Sequence, residues 1–95
     1  MIPTHRIPAH PGKILKEEFL DELGITQVAF ATHINVPVQR INEIVRGKRG
    51  VTSESAWLLA QSLDTTPEFW INLQTTYDLA LTRPEKTILK LRMAS

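Results

Sequence analysis

The sequence contains no cysteine, which excludes disulfide bonds, iron–sulfur clusters and zinc sites built on thiolates. It also lacks the run of about 18 or more apolar residues that a membrane-spanning helix requires. Its first residues include no apolar core of about 7–15 residues, which a secretory signal peptide would have. These absences favour a cytoplasmic protein without a membrane partner.

The chain is also short and nearly neutral. Its 95 residues are 42% hydrophobic and 22% charged, with a net charge of +1 at pH 7. This composition is ordinary for one folded globular domain and excludes disorder throughout. A domain of this size buries only about 60–65% of the surface of its unfolded chain, so a partner or self-association is expected to add stability.

Although the net charge is close to zero, basic and acidic residues occupy different segments of the chain. Residues 37–49 and 83–95 are basic, whereas residues 51–82 contain four acidic residues and no lysine or arginine. A basic patch concentrates phosphate groups. The pattern therefore indicates either a nucleic-acid contact or an ordinary solvated surface.

Apolar spacing and helix-boundary residues predict five helices and no strand. Leu15, Phe19 and Leu23 recur every four residues and are expected to form the apolar face of the first helix. The residues that start or end the helices are Pro11, Gly24, Thr26, Pro37, Gly47, Thr52 and the sequence Thr66-Pro67-Glu68. We expect an all-α domain over residues 11–82, between a flexible arm at 1–10 and a short basic, amphipathic tail at 83–95.

Residues 26–47 have the anatomy of a helix-turn-helix. Two short helices that cross steeply need a small residue at their contact, and Ala31 takes that position. The tight turn between them favours a left-handed backbone residue; glycine is usual there, and Asn35 tolerates the conformation at some cost. The apolar contacts of the motif are expected from Ile34, Val36, Ile41 and Ile44.

The outward face of the third helix is predicted to read DNA, since a helix fits the major groove with its N-terminal side chains at the base edges. The candidate base-reading residues are Val38, Gln39, Arg40, Asn42 and Glu43. Glu43 repels phosphate, so its expected role is to accept from a cytosine amine or to orient Arg40 or Arg46. The candidate phosphate-binding residues are Thr26, Gln27, Arg46, Lys48 and Arg49.

The 26–47 pattern resembles the lambda-repressor-like helix-turn-helix domains, and other segments narrow the resemblance. These are His10-Pro11-Gly12 with Ile14-Leu15, Gly47-Lys48-Arg49-Gly50-Val51-Thr52, and Thr66-Pro67-Glu68-Phe69-Trp70-Ile71-Asn72-Leu73-Gln74 with Tyr77-Asp78-Leu79. Together they are similar to the HigA-type antitoxins, also called VapI-like antidote proteins of bacterial toxin–antitoxin modules. The resemblance covers residues 8–82, most of the chain.

The resemblance implies a five-helix DNA-binding domain that acts as a homodimer. It implies that the protein binds double-stranded DNA at the operator in its own promoter, represses its operon, and neutralises a HigB-type toxin, a ribosome-dependent mRNA endonuclease. It carries no implication for residues 83–95.

The apolar residues of the last two helices divide into core and interface candidates. Trp57 and Phe69 are expected mostly in the core. Trp70, Leu73 and Tyr77 are candidates for a dimer interface, because two-fold dimers place two recognition helices on half-sites about 34 Å apart. The aromatic residues could instead line a ligand pocket, but their helical spacing is more typical of a core or an interface.

No residue set supports an enzyme, a metal or a cofactor. His5, His10 and His33 match no ligand spacing, and nothing orients His33 as the base of a catalytic triad with Ser53 or Ser55. The alternative functions are a protein-sequestering interaction module with weak or no specific DNA binding, and a stand-alone helix-turn-helix transcriptional regulator. The acidic region 51–82 favours the first of these, because an mRNA-cleaving toxin is expected to be basic.

Overall fold

The protein, for which we use a computed structural model, is described over residues 7–92 and has five helices and no strand in that range. Helix α1 spans residues 11–23, with α-helical ends at Pro11–Ile14 and Asp21–Leu23 and a π-helical centre at Leu15–Leu20. The other helices are α2 (Gln27–His33), α3 (Val38–Val45), α4 (Ser53–Leu63) and α5 (Pro67–Leu81). The predicted all-α fold with five helices is confirmed. In the described range, every helix is too short or too polar to cross a bilayer.

Threonine side chains cap the N-termini of three helices, as the sequence predicts. The hydroxyl oxygens of Thr26, Thr52 and Thr66 accept from backbone N–H groups three residues further on, at 3.1, 3.2 and 3.1 Å. Each such cap contributes about 1 kcal/mol by pairing an N–H group that the helix itself leaves free. The caps therefore fix where α2, α4 and α5 begin.

The π-helical centre of α1 changes which side chains that helix buries. Leu15 and Leu20, five residues apart, are both almost fully buried, because a π-helix places residues i and i+5 on one face. Phe19 is only partly buried and Leu23 is 58% exposed. The predicted apolar face is therefore confirmed for Leu15 and Phe19, which packs against the core, and wrong for Leu23.

The core packs around Trp70, which is fully buried. The prediction that Trp70 contacts a second subunit in a dimer is therefore wrong. Its indole N–H donates to the hydroxyl of Thr65 at 2.7 Å, and its ring lies 5.3 Å from that of Phe19. A side chain without exposed surface cannot meet a second subunit.

The expectation that Trp57 and Phe69 lie mostly in the core is also wrong, since they are 57% and 39% exposed. Helix α4 buries Ala56, Leu59 and Ala60 instead. At about 100° per residue, Trp57 points away from the centre of that buried face. The buried face of α4 therefore carries no aromatic residue, and the indole of Trp70 from α5 belongs to the same core cluster.

Helix α1 fixes the position of α3 by direct contact of the two backbones. Gly12 is buried, and a β-carbon built on it would overlap the carbonyl oxygen of Ile44. Only glycine allows this approach. The Gly12 contact therefore sets how α3 sits on the body of the protein.

Candidate nucleic-acid interface

Helices α2 and α3 form the predicted helix-turn-helix, with Ala31 98% buried between them. Asn35 has a φ of 59°, the left-handed conformation expected at the turn. The N–H of Asn35 donates to the carbonyl of Thr32 at 3.2 Å, and that of Val36 donates to the carbonyl of Ala31 at 3.0 Å. The turn therefore holds α3 at a fixed angle to α2.

Helix α3 separates a buried face from an exposed one. Ile41 and Ile44 are 99% buried, whereas Val38 is 43% exposed and Gln39 and Arg46 are exposed. The exposed side chains lie together because successive residues turn by about 100° around the helix. Val38 and Gln39 also lie in its first turn, from which side chains reach base edges when a helix enters the major groove.

Asn42 and Gln27 join the two helices by a side-chain hydrogen bond. The Asn42 amide nitrogen donates to the Gln27 amide oxygen at 3.3 Å, and both residues are half-buried. Gln27 is the first residue of α2, where free backbone N–H groups favour an anion. The bond positions the Gln27 side chain at this terminus, so Asn42 has a positioning role in the free protein.

Arg40 lies on the flank of α3 that faces α4. Its guanidinium Nη1 is 3.1 Å from Oε1 of Glu54, and the two side chains are 33% and 75% exposed. Around α3, Arg40 is closer in angle to buried Ile44 than to Gln39. In the free protein this ion pair therefore holds the Arg40 guanidinium beside Glu54.

Glu43 pairs with Arg49, which corrects the expectation that it orients Arg40 or Arg46. The carboxylate Oε1 of Glu43 is 2.9 Å from Nη2 of Arg49. The Glu43 carbonyl also accepts from the N–H groups of Lys48 and Arg49, at 2.8 and 3.2 Å. Gly47 permits this with a φ of 74°, so the basic loop after α3 folds back onto the helix, a local contact that side-chain spacing along one helix cannot predict.

A junction between His10 and Tyr77, which the sequence did not predict, lies beside this loop. His10 Nδ1 accepts from the N–H of Gly12 at 2.9 Å, which caps α1, and the imidazole meets the ring of Tyr77 edge-on at 4.9 Å. A β-carbon built on Gly47 would lie 3.7 Å from the same imidazole. One sequence signal could have revealed this contact: the His10-Pro11-Gly12 segment and Tyr77 both belong to the segments that resemble the HigA-type antitoxins.

Gln74 completes the junction from α5. Its Oε1 accepts from the N–H of Val51 at 2.7 Å and its Nε2 donates to Asp78 at 2.9 Å. Burial lowers the pKa of the His10 imidazole below its ordinary value, and the Asp78 carboxylate opposes that shift. His10, at the start of α1, thus contacts Tyr77 of α5, and Gln74 of α5 bonds the segment that follows the basic loop.

Leu73 and Tyr77 are half-buried within the subunit, and their part in a dimer interface stays a prediction. Of the three histidines considered for a metal site, His5 lies outside the described residues. Over residues 7–92, no three His, Asp or Glu side chains are grouped closely enough to hold a metal ion.

Comparison with known proteins agrees with this geometry. A helix-turn-helix family profile matches residues 15–70. Antitoxin HigA-1 of Vibrio cholerae is 42% identical over 84 residues, which cover 87% of this chain and 78% of that protein.

Two solved structures extend the comparison to DNA complexes. Pseudomonas aeruginosa antitoxin HigA with the higBA promoter is 43% identical, with a TM-score of 0.76 over 78% of this chain and 80% of its own. Antitoxin GraA in complex with its operator is 36% identical, with a TM-score of 0.84 over 98% of this chain and 100% of its own.

Proposed function

The chain belongs to the lambda-repressor-like helix-turn-helix family of HigA-type antitoxins, and on that premise we propose that it is an autorepressor and antitoxin. As a homodimer in the cytoplasm, it binds the operator in its own promoter and neutralises a HigB-type mRNA endonuclease toxin. The observation that carries the proposal is the exposed first turn of α3, held at a fixed angle on α2 and backed by the Gly12 contact. The proposal assigns the protein no catalysis.

In this proposal, Val38 and Gln39 read base edges directly. A valine side chain suits a thymine methyl group and a glutamine amide pairs with adenine through two hydrogen bonds. Arg40 and Glu43 join them once DNA displaces their ion pairs with Glu54 and Arg49. Exposed ion pairs contribute only about 0–1 kcal/mol, so displacing them costs little.

Phosphate contacts then set the position of the protein on the duplex. Thr26 and Gln27 lie at the N-terminus of α2, where N–H groups and the helix dipole favour a phosphate. The basic side chains Arg46, Lys48 and Arg49 are exposed at the end of α3 and in the loop after it. The first group touches α3 through the Gln27–Asn42 hydrogen bond and the second follows α3 directly, so both lie next to the proposed base-reading face.

The test is the affinity for the DNA directly upstream of the gene, compared with a scrambled duplex, from about 50 to 200 mM salt. A preference of about 10³-fold or more that persists at high salt supports a specific repressor. Equal, salt-sensitive binding to both duplexes would contradict it and favour a module whose main work is to sequester a protein.

The acidic composition of residues 50–82 favours toxin binding as a second activity, since this segment contains no lysine or arginine. A basic mRNA endonuclease complements it in charge. Co-expression with the neighbouring gene tests this activity: a complex that survives nuclease treatment supports an antitoxin. A protein that binds its operator but not the neighbouring product is instead a stand-alone regulator.

A further inference from the structure

An apolar groove lies open between α4 and the first turns of α5. Trp57 forms one wall and Pro67 and Ile71 form the other, around a cavity of about 190 Å³. The Trp57 side chain is 57% exposed, although indole is among the largest apolar groups in a protein. We call this cavity and its walls the Trp57 groove.

Negative charge borders the Trp57 groove and positive charge is absent from its elements. Glu68 lines the groove, whereas Glu54, three residues before Trp57 on the same helix, is already paired with Arg40. No lysine or arginine occurs anywhere from residue 50 to residue 82. The groove therefore suits an occupant that is both apolar and basic.

The C-terminal tail of the same chain has this chemistry. Residues 83–92 are not helical, and Ile88, Leu89 and Leu91 are 85%, 88% and 87% exposed. Four basic residues accompany them against the single acid Glu85, namely Arg83, Lys86, Lys90 and Arg92. Burying these three apolar side chains against another surface would stabilise the complex by about 25 cal/mol per Å² of apolar area.

The direction of α5 favours the groove of a second copy over the chain's own groove. The groove lies at the start of α5 and the tail leaves its end, 15 residues later. At about 1.5 Å per residue, the two are about 22 Å apart in one subunit. The tail does not fold back over this distance, since its apolar side chains and Trp57 all stay exposed. In a two-fold dimer with antiparallel α5 helices, the tail of each subunit begins beside the groove of the other.

We propose that the α5 helices of two copies run antiparallel and that the tail of one subunit docks in the Trp57 groove of the other, with an apolar tail side chain in the cavity and a tail lysine beside Glu68. The inference rests on the homodimer of the proposed function. Two-fold symmetry then places each tail in the groove of the other subunit. Both grooves are filled, so neither can recruit a third copy.

The absence of cysteine makes disulfide trapping a direct test in the 95-residue chain. Two single-cysteine variants, Asn72→Cys in the groove and Leu89→Cys in the tail, carry different tags and are mixed before mild oxidation. Docking predicts a mixed disulfide that forms at least about tenfold faster than with Gln61→Cys, an exposed α4 position outside the groove, because docking raises the effective concentration. Equal rates overturn the proposal. A double variant, Asn72→Cys with Leu89→Cys, overturns it as well if its disulfide forms only within one chain.

Sedimentation equilibrium and tryptophan quenching test the same contact without cross-links. Leu89→Asp is expected to weaken the dimer and to make Trp57 more accessible to iodide, while Trp70 stays shielded in the core. Leu23→Asp is the control, since Leu23 is also exposed but lies away from the groove. A dimer unaffected by Leu89→Asp overturns tail docking and leaves the homodimer standing. A monomer at concentrations that saturate the operator overturns both.

Discussion

At the scale of single residues, the proposed DNA face contains two kinds of side chain. Val38 and Gln39 face outward from the first turn of α3. Arg40 and Glu43 hold ion pairs within the subunit instead. Free side chains are expected to determine which bases are read, whereas paired ones couple base reading to the rest of the protein.

Gln39→Ala is expected to weaken operator binding by about 1–3 kcal/mol and to leave binding to a scrambled duplex unchanged. The change removes hydrogen bonds to a base edge and no phosphate contact. Fluorescence anisotropy with both duplexes measures the difference, with Gln61→Ala on α4 as the control. Equal weakening on the two duplexes would contradict base reading by Gln39.

Glu54→Gln is expected to tighten operator binding by about 0.2–1 kcal/mol, because it releases Arg40 from an exposed ion pair. Adding Arg40→Ala should abolish the gain. Glu22→Gln removes the same charge from α1 and serves as the control for overall electrostatics. A gain of the same size in both glutamine variants would assign the effect to net charge and not to Arg40.

His10→Gln is expected to reduce the pH dependence of stability in the acid range. Because burial holds the pKa of His10 below its usual value, the unfolded chain binds the proton first as the pH falls. The stabilisation is thus complete above about pH 6.5 and is lost as the pH falls from there through the folded-state pKa. Urea unfolding from pH 8 to pH 5 measures it, with His33→Gln as the control. Parallel curves for the wild type and His10→Gln would refute the assignment.

At the scale of elements, the backbone contact between α1 and α3 controls the position of the recognition helix. Gly12 is the residue that permits it, since a β-carbon there would overlap the Ile44 carbonyl. Gly24 offers a matched comparison, because its φ is 67° but nothing lies within 4 Å of its β-carbon position. One glycine is needed for space and the other for backbone conformation.

Gly12→Ala is expected to cost about 1–3 kcal/mol of stability and to weaken operator binding as well, since α3 must shift to relieve the overlap. Gly24→Ala should cost about 1–2 kcal/mol of stability through backbone strain alone. Thermal unfolding and anisotropy separate the two effects. Operator affinity equal to the wild type in folded Gly12→Ala would show that the contact does not position α3.

Local signals predicted the elements better than the contacts between them. The Thr26 cap and the left-handed Asn35 follow from short-range chemistry, and both are confirmed. Trp57 and Trp70 exchanged their expected places, because Trp57 lies beside the buried face of α4 and not on it, whereas Trp70 faces the core from α5. The ion pair of Glu43 with Arg49 depends on a folded-back loop, which helix geometry alone does not specify.

At the scale of the whole molecule, positive charge is concentrated and negative charge is spread. Residues 17–39 and 50–82 contain no lysine or arginine. The basic residues therefore lie in three segments, namely the start of the chain, the region around α3 and the tail. A duplex is attracted to the second of these and repelled by the acidic helices. The distribution therefore limits the orientations in which DNA can approach.

Lys48→Ala is expected to weaken binding to all DNA sequences and to reduce the slope of log affinity against log salt by about one unit. Lys48 is exposed in the loop after α3, and loss of one phosphate contact releases about one counterion fewer. Affinities at several salt concentrations give the slope, and Lys13→Ala on α1 is the control. An unchanged slope would remove Lys48 from the phosphate contacts.

The buried crossing at Gly12 also has an evolutionary consequence. Because α3 is seated by main-chain atoms, the outward side chains Val38 and Gln39 carry little of the folding free energy. Operator preference can then drift between duplicated copies of such a gene without loss of a stable protein. On the proposed function, changes at Val38 and Gln39 are then enough for duplicated repressors to recognise different promoters.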